Sequence, residues 1–282
     1  MKKVLLIGST VVDVIIRLNK LPTTGVDINL KWQKMSIGGC AFNVSYLLFS
    51  PVGNGIYAEY VLNELKKLNV SRAELTPEEP NGCCYCLVED DGERSFICEH
   101  GAEYRFKKEW FDTLDPNDFD CAYICGLEVE ECTGDIIIDF LKKAQIPVYF
   151  APGPRINEID KNKIERIFSL NPILHVNKTE ATTYTRTDNI KDAAKALMNL
   201  TANTVIVTDG ANGSCCLSRE DMIWYEVPAF DAVVVDTIGA GDAHIGTFIA
   251  QRQLGKEIAP ALTEANRISS MVVQCEGARL EK

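Results

Sequence analysis

The chain has 282 residues, 46% of them apolar and 24% charged, a globular composition that excludes disordered, collagen-like and low-complexity classes. Lys and Arg number 29 against 40 Asp and Glu, a formal net charge of −11. That balance speaks against a nucleic-acid or anionic-membrane partner, since both need a basic footprint, but admits an anionic small molecule held locally by backbone N–H groups.

Lys3–Ile7 is a short apolar run ending at Gly8 and reads as a buried first strand. Lys2-Lys3 followed by Val4–Ile7 begins like an export signal, but Asp13 and Arg17 interrupt the run and no cleavage site follows. No stretch reaches the ~18 apolar residues of a membrane span. The eleven cysteines are an odd number without the framework of a small secreted domain, so the expectation is a cytoplasmic protein with free thiols. Val14–Leu18 and the strictly alternating Val26–Trp32 read as strands, the latter with Val26, Ile28, Leu30 and Trp32 on one face. Cys84–Val88 and Arg94–Cys98 flank Asp90-Asp91-Gly92-Glu93, a hairpin signal. Together they predict a small antiparallel β lid within residues 14–33 and 83–98, whose apolar face covers a substrate or a second copy in a homodimer. Cys83-Cys84-Tyr85-Cys86 and Cys121-x-x-x-Cys125 lie in strand-like runs and lack paired zinc knuckles, so they read as small core residues.

From residue 107 the rhythm becomes strand and helix in alternation. Ala122–Cys125, Val148–Phe150, Ile173–Val176 and Val205–Thr208 read as strands. Glu131–Lys143, Lys161–Phe168, Lys191–Leu200 and Gly241–Leu254 read as helices, and Ser214–Leu217 with Ile223–Glu226 as a hairpin. The pattern predicts an α/β fold in one domain over residues 1–282, a doubly wound, mainly parallel sheet flanked by helices, with the lid inserted.

The strongest chemical signal is Asp236-Thr237-Ile238-Gly239-Ala240-Gly241-Asp242, placed after an apolar run, Val233–Val235, read as a strand, and before a long helix. Glycine lets the backbone approach a ligand closely. The N–H groups of Gly239, Ala240 and Gly241 then face outward from a helix N-terminus as an anion site. Asp242, on the first turn, stands beside that site and can accept a proton from an attacking hydroxyl. Gly38-Gly39 before Asn43, Asn177-x-x-Glu180 after a buried strand, and Thr208-x-Gly210-x-x-Gly213 after another fit the same task. Each could also be structural punctuation: a tight turn, a helix start or a hairpin connection. Asp13 could take hydroxyl hydrogen bonds or serve a turn, Glu128 could reach the substrate or be a solvated loop acid, and His244 could tune Asp242 or simply pack.

In this order the motifs resemble the ribokinase-like (PfkB-type) carbohydrate kinases, and the resemblance spans nearly the whole chain. It implies transfer of the γ-phosphoryl group of ATP to a hydroxyl of a sugar or sugar-like substrate, with Asp242 as catalytic base and the N–H groups of Gly239, Ala240 and Gly241 as anion hole. It implies Asp13, Gly38, Gly39 and Asn43 at the substrate, and Asn177, Thr208, Gly210, Gly213 and Asn266 at the nucleotide. It places Glu180 toward Mg²⁺, through water, and Asp236 with Gly277 near a monovalent cation such as K⁺. Ala151 stands where relatives usually carry Asp, and Gly53-Asn54-Gly55 replaces a more usual Gly-x-Asp. No Gly-x-x-x-x-Gly-Lys-Ser/Thr loop occurs, which excludes a P-loop kinase. A nucleoside kinase of the same fold and a non-catalytic ligand sensor are the competing expectations. Gly39–Leu48 reads as a helix running straight into Ser50-Pro51-Val52-Gly53, which leaves no residues for the reversal and core strand that relatives place there. Either the sheet has re-paired around a trimmed chain or further residues belong at that point.

Overall fold

The computed structural model describes residues 3–44, 48–68, 71–90 and 93–275. The strands in chain order are β1 (Lys3–Ile7), β2 (Val11–Arg17), β3 (Trp32–Gly38), β4 (Leu48–Asn54), β5 (Ser71–Pro80), β6 (Cys83–Val88), β7 (Arg94–Glu99), β8 (Phe119–Cys125), β9 (Val148–Ala151), β10 (Ile173–Asn177), β11 (Val205–Thr208), β12 (Ser214–Leu217) and β13 (Trp224–Val227). They form a nine-stranded sheet in the order β13-β12-β11-β10-β9-β8-β1-β4-β5 and a four-stranded sheet in the order β3-β2-β6-β7. The large sheet is parallel from β11 to β5, and only β12 and β13 run antiparallel.

Its strands read as unbroken apolar runs because both faces are covered. Leu5 and Ile7 pack into one apolar cluster and Leu6 into the other; Ala122 and Ile124 oppose Cys121 and Tyr123 in the same way, as Val205 and Val207 oppose Ile206. The helix Gly134–Ala144 buries Ile137, Ile138 and Leu141 on one stripe and ends at Gln145 in the left-handed region. The helix Lys161–Phe168 starts where the Asp160 carboxylate accepts from the N–H groups of Asn162 and Lys163, a cap worth about 1 kcal/mol.

The strand order puts β4 on one side of β1 and β8 on the other, so the connections leave in opposite directions there. In doubly wound sheets ligands bind at such a switch point, beyond the carboxyl ends of the strands. Cys125, Ala151, Asn177 and Thr208 are the last residues of β8, β9, β10 and β11, held level by the registers Cys125↔Ala151 and Asn177↔Thr208.

Three expectations are corrected. Val26–Lys31 is not a strand; alternation alone does not make a ladder, and the pairing partner of β2 is the following segment, Trp32–Gly38. Of the helix expected over Gly39–Leu48, Cys40–Val44 is described as helix, and Leu48–Asn54 is the core strand that seemed to have no room, parallel to both β1 and β5. The link between them, residues 45–47, lies outside the described residues, as do the hairpin tip at Asp91-Gly92 and Gly277. Val233–Val235 is exposed loop, tied down by the Val235 and Asp236 N–H groups, which both donate to the Val273 carbonyl. In the small sheet the outer pairs are antiparallel, whereas the central pair β2–β6 is parallel. Among the described residues no helix is long and apolar enough to cross a membrane.

Candidate active site

A cavity of about 220 Å³ opens at the switch point, lined among others by Cys40, Tyr123, Asn177, Glu180, Thr208, Gly239, Gly241 and Asp242. Its base is the start of the helix Ala240–Gln253. Gly239 caps that helix with φ +73°, in the left-handed region where glycine is favoured. The Ala240 N–H turns back to the Thr237 carbonyl at 3.3 Å, which corrects its expected place in the anion hole. The N–H groups of Gly241 and Asp242 follow in the first turn, where no helical carbonyl reaches them. A Cβ at Gly241 would meet open space.

Asp242 is half-buried and its Oδ2 accepts from Asn43 Nδ2 at 2.9 Å. Burial pushes its carboxyl up to about 6, the hydrogen bonds from Asn43 and Cys40 pull it down, and the charge of Glu128 pushes it up again. The other end of the Asn43 amide, Oδ1, is buried and unpartnered, as is the hydroxyl of Tyr123. Asn43 reaches Asp242 because the chain passes close to Ser9. Gly39 has φ +99°, and a Cβ there would lie 2.4 Å from the Ser9 carbonyl oxygen. A Cβ on Gly38 would strike the Asp13 carboxylate at 2.1 Å. Gly38 and Gly39 thus make room for Asp13 on β2 and for the turn into the helix that carries Asn43.

Glu128 is fully buried, with Oε1 accepting from the Ser9 N–H at 2.7 Å and Oε2 from the Cys125 thiol at 2.5 Å. Both oxygens are committed to the protein, which corrects the expectation of a substrate ligand. Asn177 and Glu180 form a reciprocal capping box, Asn177 Oδ1 accepting from the Glu180 N–H at 2.8 Å and Glu180 Oε2 from the Asn177 N–H at 2.9 Å. The helix-start reading is therefore realised, and both residues still line the cavity. Burial raises the Glu180 carboxyl and the Asn177 N–H lowers it. Thr208 lines the cavity; Gly210 is exposed at the same end of the sheet. Gly213 serves the hairpin, since a Cβ there would sit 2.1 Å from the Val227 carbonyl oxygen.

Asn266 is buried behind the site, its Nδ2 donating to the Val227 and Pro228 carbonyls at 3.0 Å and its Oδ1 meeting His244 Nε2 at 3.1 Å. This spends the amide on the protein and corrects its expected place at the adenine. The same contacts fix the histidine tautomers. His244 Nε2 must donate to Asn266 Oδ1, so His244 Nδ1 accepts from His175 Nε2 at 3.1 Å. Burial holds both rings below the usual histidine range, with the neighbouring His244 adding to the effect at His175. His244 therefore packs behind the base and does not tune Asp242. Asp236 is paired with Arg94 of the lid, Nη1 at 2.8 Å, and its Oδ1 accepts from the Ile238 N–H at 2.7 Å. A guanidinium meets the carboxylate that was expected beside a monovalent cation.

Cys40, Tyr123 and His175 line the cavity without having been singled out from the sequence. Alternation in β8 sets Tyr123 and Cys125 on one face, but not which face opens on the site.

The pfkB family carbohydrate kinase model matches residues 1–282. The chain belongs to the pfkB family of carbohydrate kinases. It is 31% identical to an uncharacterised sugar kinase of Escherichia coli K12, YegV, over 98% of this chain and 90% of that protein. It is 28% identical to the deoxyribokinase of Salmonella typhi, over 97% and 93%. Among solved structures, the ribokinase of Thermotoga maritima matches with a TM-score of 0.85 at 21% identity, over 99% of this chain and 95% of that one. The nucleoside kinase of Methanocaldococcus jannaschii matches with 0.80 at 22%, over 99% and 93%. This pfkB kinase is thus a phosphotransferase with an alcohol group as acceptor.

Proposed function

We propose that residues 1–282 act as one ATP- and Mg²⁺-dependent sugar kinase in which Asp242 takes the proton from the acceptor hydroxyl. The observation that carries this is the placement of Asp242. Its carboxylate is oriented by Asn43, raised to about 6, and set on the first turn of the helix whose free N–H groups open on the cavity. A base tuned toward the working pH is effective in proton transfer. The N–H groups of Gly241 and Asp242, with the positive end of the helix behind them, favour the negative charge of a transferring phosphoryl group.

The residues present fit a nucleotide with its metal. Thr208 and Gly210 flank the nucleotide side, and Glu180 offers hard carboxylate oxygens to Mg²⁺ through its water shell. When bound, Mg-ATP supplies the electrophilic phosphorus with its charge partly neutralised. On the acceptor side, Asp13 and Gly39 border the approach, and the unpartnered Asn43 Oδ1 and Tyr123 hydroxyl supply hydrogen-bond sites aimed at hydroxyls. Sugars are favoured over nucleosides because the family model is that of carbohydrate kinases and the relatives at 31% and 28% identity are a sugar kinase and a deoxyribokinase. A homodimer through the lid is supported by Ile28, Leu30, Trp32, Phe96 and Ile97, all exposed; sedimentation at micromolar concentration should show a dimer, and a monomer would make the lid only a flap.

The experiment is ADP release measured over pentoses, hexoses, sugar phosphates and nucleosides, followed by a pH profile on the best acceptor. Only the ionised carboxylate can accept the proton, so kcat at saturating acceptor should rise with pH up to about 6 and level off above it. A profile flat from pH 5 to 8 would remove Asp242 as the base.

A further inference from the structure

Asp13, Cys84 and Cys86 stand on the same face of the lid, with one ligand atom from each lying within 4.8 Å of the other two. The ladder explains the grouping. Asp13 of β2 is registered with Cys84 of β6, Cys84 is registered with Cys98 of β7, and Cys86 is two residues along from Cys84. Residues opposite one another, and residues two apart in a strand, share a face. The Cys84 and Cys86 sulfurs are 3.7 Å apart, and the Cys98 sulfur is 3.3 Å from that of Cys84. Tetrahedral zinc with Zn–S of about 2.3 Å sets sulfur–sulfur edges of about 3.7 Å, which the Cys84–Cys86 spacing already meets. Among the described residues, no hydrogen bond or ion pair to the protein reaches the Asp13 carboxylate, and Gly38 is shaped to let it lie there.

We propose that Asp13, Cys84 and Cys86 bind a borderline-soft divalent cation of the Zn²⁺ class, with the fourth position open to water. Two thiolates and one carboxylate make a donor set for Zn²⁺ rather than for Mg²⁺ or Ca²⁺, which take all-oxygen shells. Binding leaves each ligating sulfur as thiolate and releases its proton to solvent. A consequence rests on the acceptor role proposed for Asp13: the bound cation withdraws that carboxylate, so Zn²⁺ inhibits in competition with the acceptor and not with ATP.

The test uses the full chain, free of tags, stripped with a chelator and kept under a non-thiol reductant. Zn²⁺ titration should show one equivalent bound, and Co²⁺ should give the near-ultraviolet thiolate charge-transfer band. Cys84→Ser and Cys86→Ser should lose both, whereas Cys132→Ser, an exposed thiol outside this sheet, should keep them. Alkylation of the unmutated protein guards against a folding defect in the variants, since Zn²⁺ should shield Cys84 and Cys86. Failure to retain the ion, equal retention by the Cys84 and Cys86 variants, or alkylation unaffected by Zn²⁺ would overturn the site. Stoichiometric binding with an unchanged acceptor KM would uphold the site and overturn the acceptor role of Asp13.

Discussion

The end of the large sheet and the lid carry the two halves of the candidate site by different means. At the sheet end, Tyr123, Asn177 and Thr208 lie at or near the ends of parallel strands, Asn177 and Thr208 held level by their register, and Asp242 starts a helix packed beneath. Their neighbours are fixed by strand pairing and by the capping box of Asn177 with Glu180. In the lid, Asp13 sits in the middle of a strand, on an open sheet, with thiols beside it and exposed apolar side chains around it. The difference teaches a division of labour. On the proposed reading, the sheet end would set where the phosphoryl group and the base stand, and the lid would set which alcohol is brought to them.

That division can be broken by variants whose kinetic signatures should not mix. Asp242→Asn keeps shape and hydrogen bonds but cannot act as the base, so kcat should fall about 10²–10⁴-fold, with ATP affinity retained by equilibrium binding. Asp13→Asn removes a charge-assisted hydrogen bond of about 1.5–3 kcal/mol. The expected loss in kcat/KM is roughly tenfold to a hundredfold, with kcat at saturating acceptor preserved. A loss in kcat equal to the loss in kcat/KM would dissolve the distinction. Gly39→Ala tests the joint between the halves. A φ of +99° and a carbonyl 2.4 Å from the new Cβ should cost about 1–3 kcal/mol of stability, read in a denaturant titration, whereas Gly241→Ala, facing open space, should leave stability within about 0.5 kcal/mol. The smallest effect is expected at Glu180→Gln, which keeps a carbonyl for the Asn177 N–H; the Mg²⁺ half-saturation should rise a few-fold while acceptor KM stays put.

The same contrast governs what the sequence disclosed. The strands β1, β8, β9, β10 and β11 are legible because burial on both faces writes them as short β-rich apolar runs between turn signals. The motif from Asp236 to Asp242 is legible because its glycines mark a left-handed cap at Gly239 and an open approach at Gly241 to N–H groups that any helix start leaves free. The lid misleads. Val26–Trp32 alternates perfectly, yet the partner of β2 is Trp32–Gly38, since pairing is decided by where the chain can return and not by alternation. β4 is hidden by Pro51, which argues against an inner strand, and by helix-like residues before it. Glu128, Asn266 and His244 are polar residues near motifs, but each is spent on buried partners that no local pattern reveals. Arg94, which meets Asp236, lies more than 140 positions away in the chain.

Among the described residues, β1 is registered with β8 from Lys3 to Ile7, and with β4 at Leu6↔Leu48 and Ile7↔Phe49. Pro51 brings no N–H to the ladder. The outer wing, β4 and β5 with the helix Gly55–Leu68, also packs on the sheet through side chains: Phe49 against Phe106 and Phe111, and Val52, Val61 and Leu65 in the cluster with Leu6. Apolar contacts are non-directional, and the wing ends the sheet, with β5 as its edge strand. Amide hydrogen exchange should reveal it as a separate opening unit, the wing losing protection at a free energy below that of β8 to β11, and changes in chain length should be accepted at this edge of the sheet before any other.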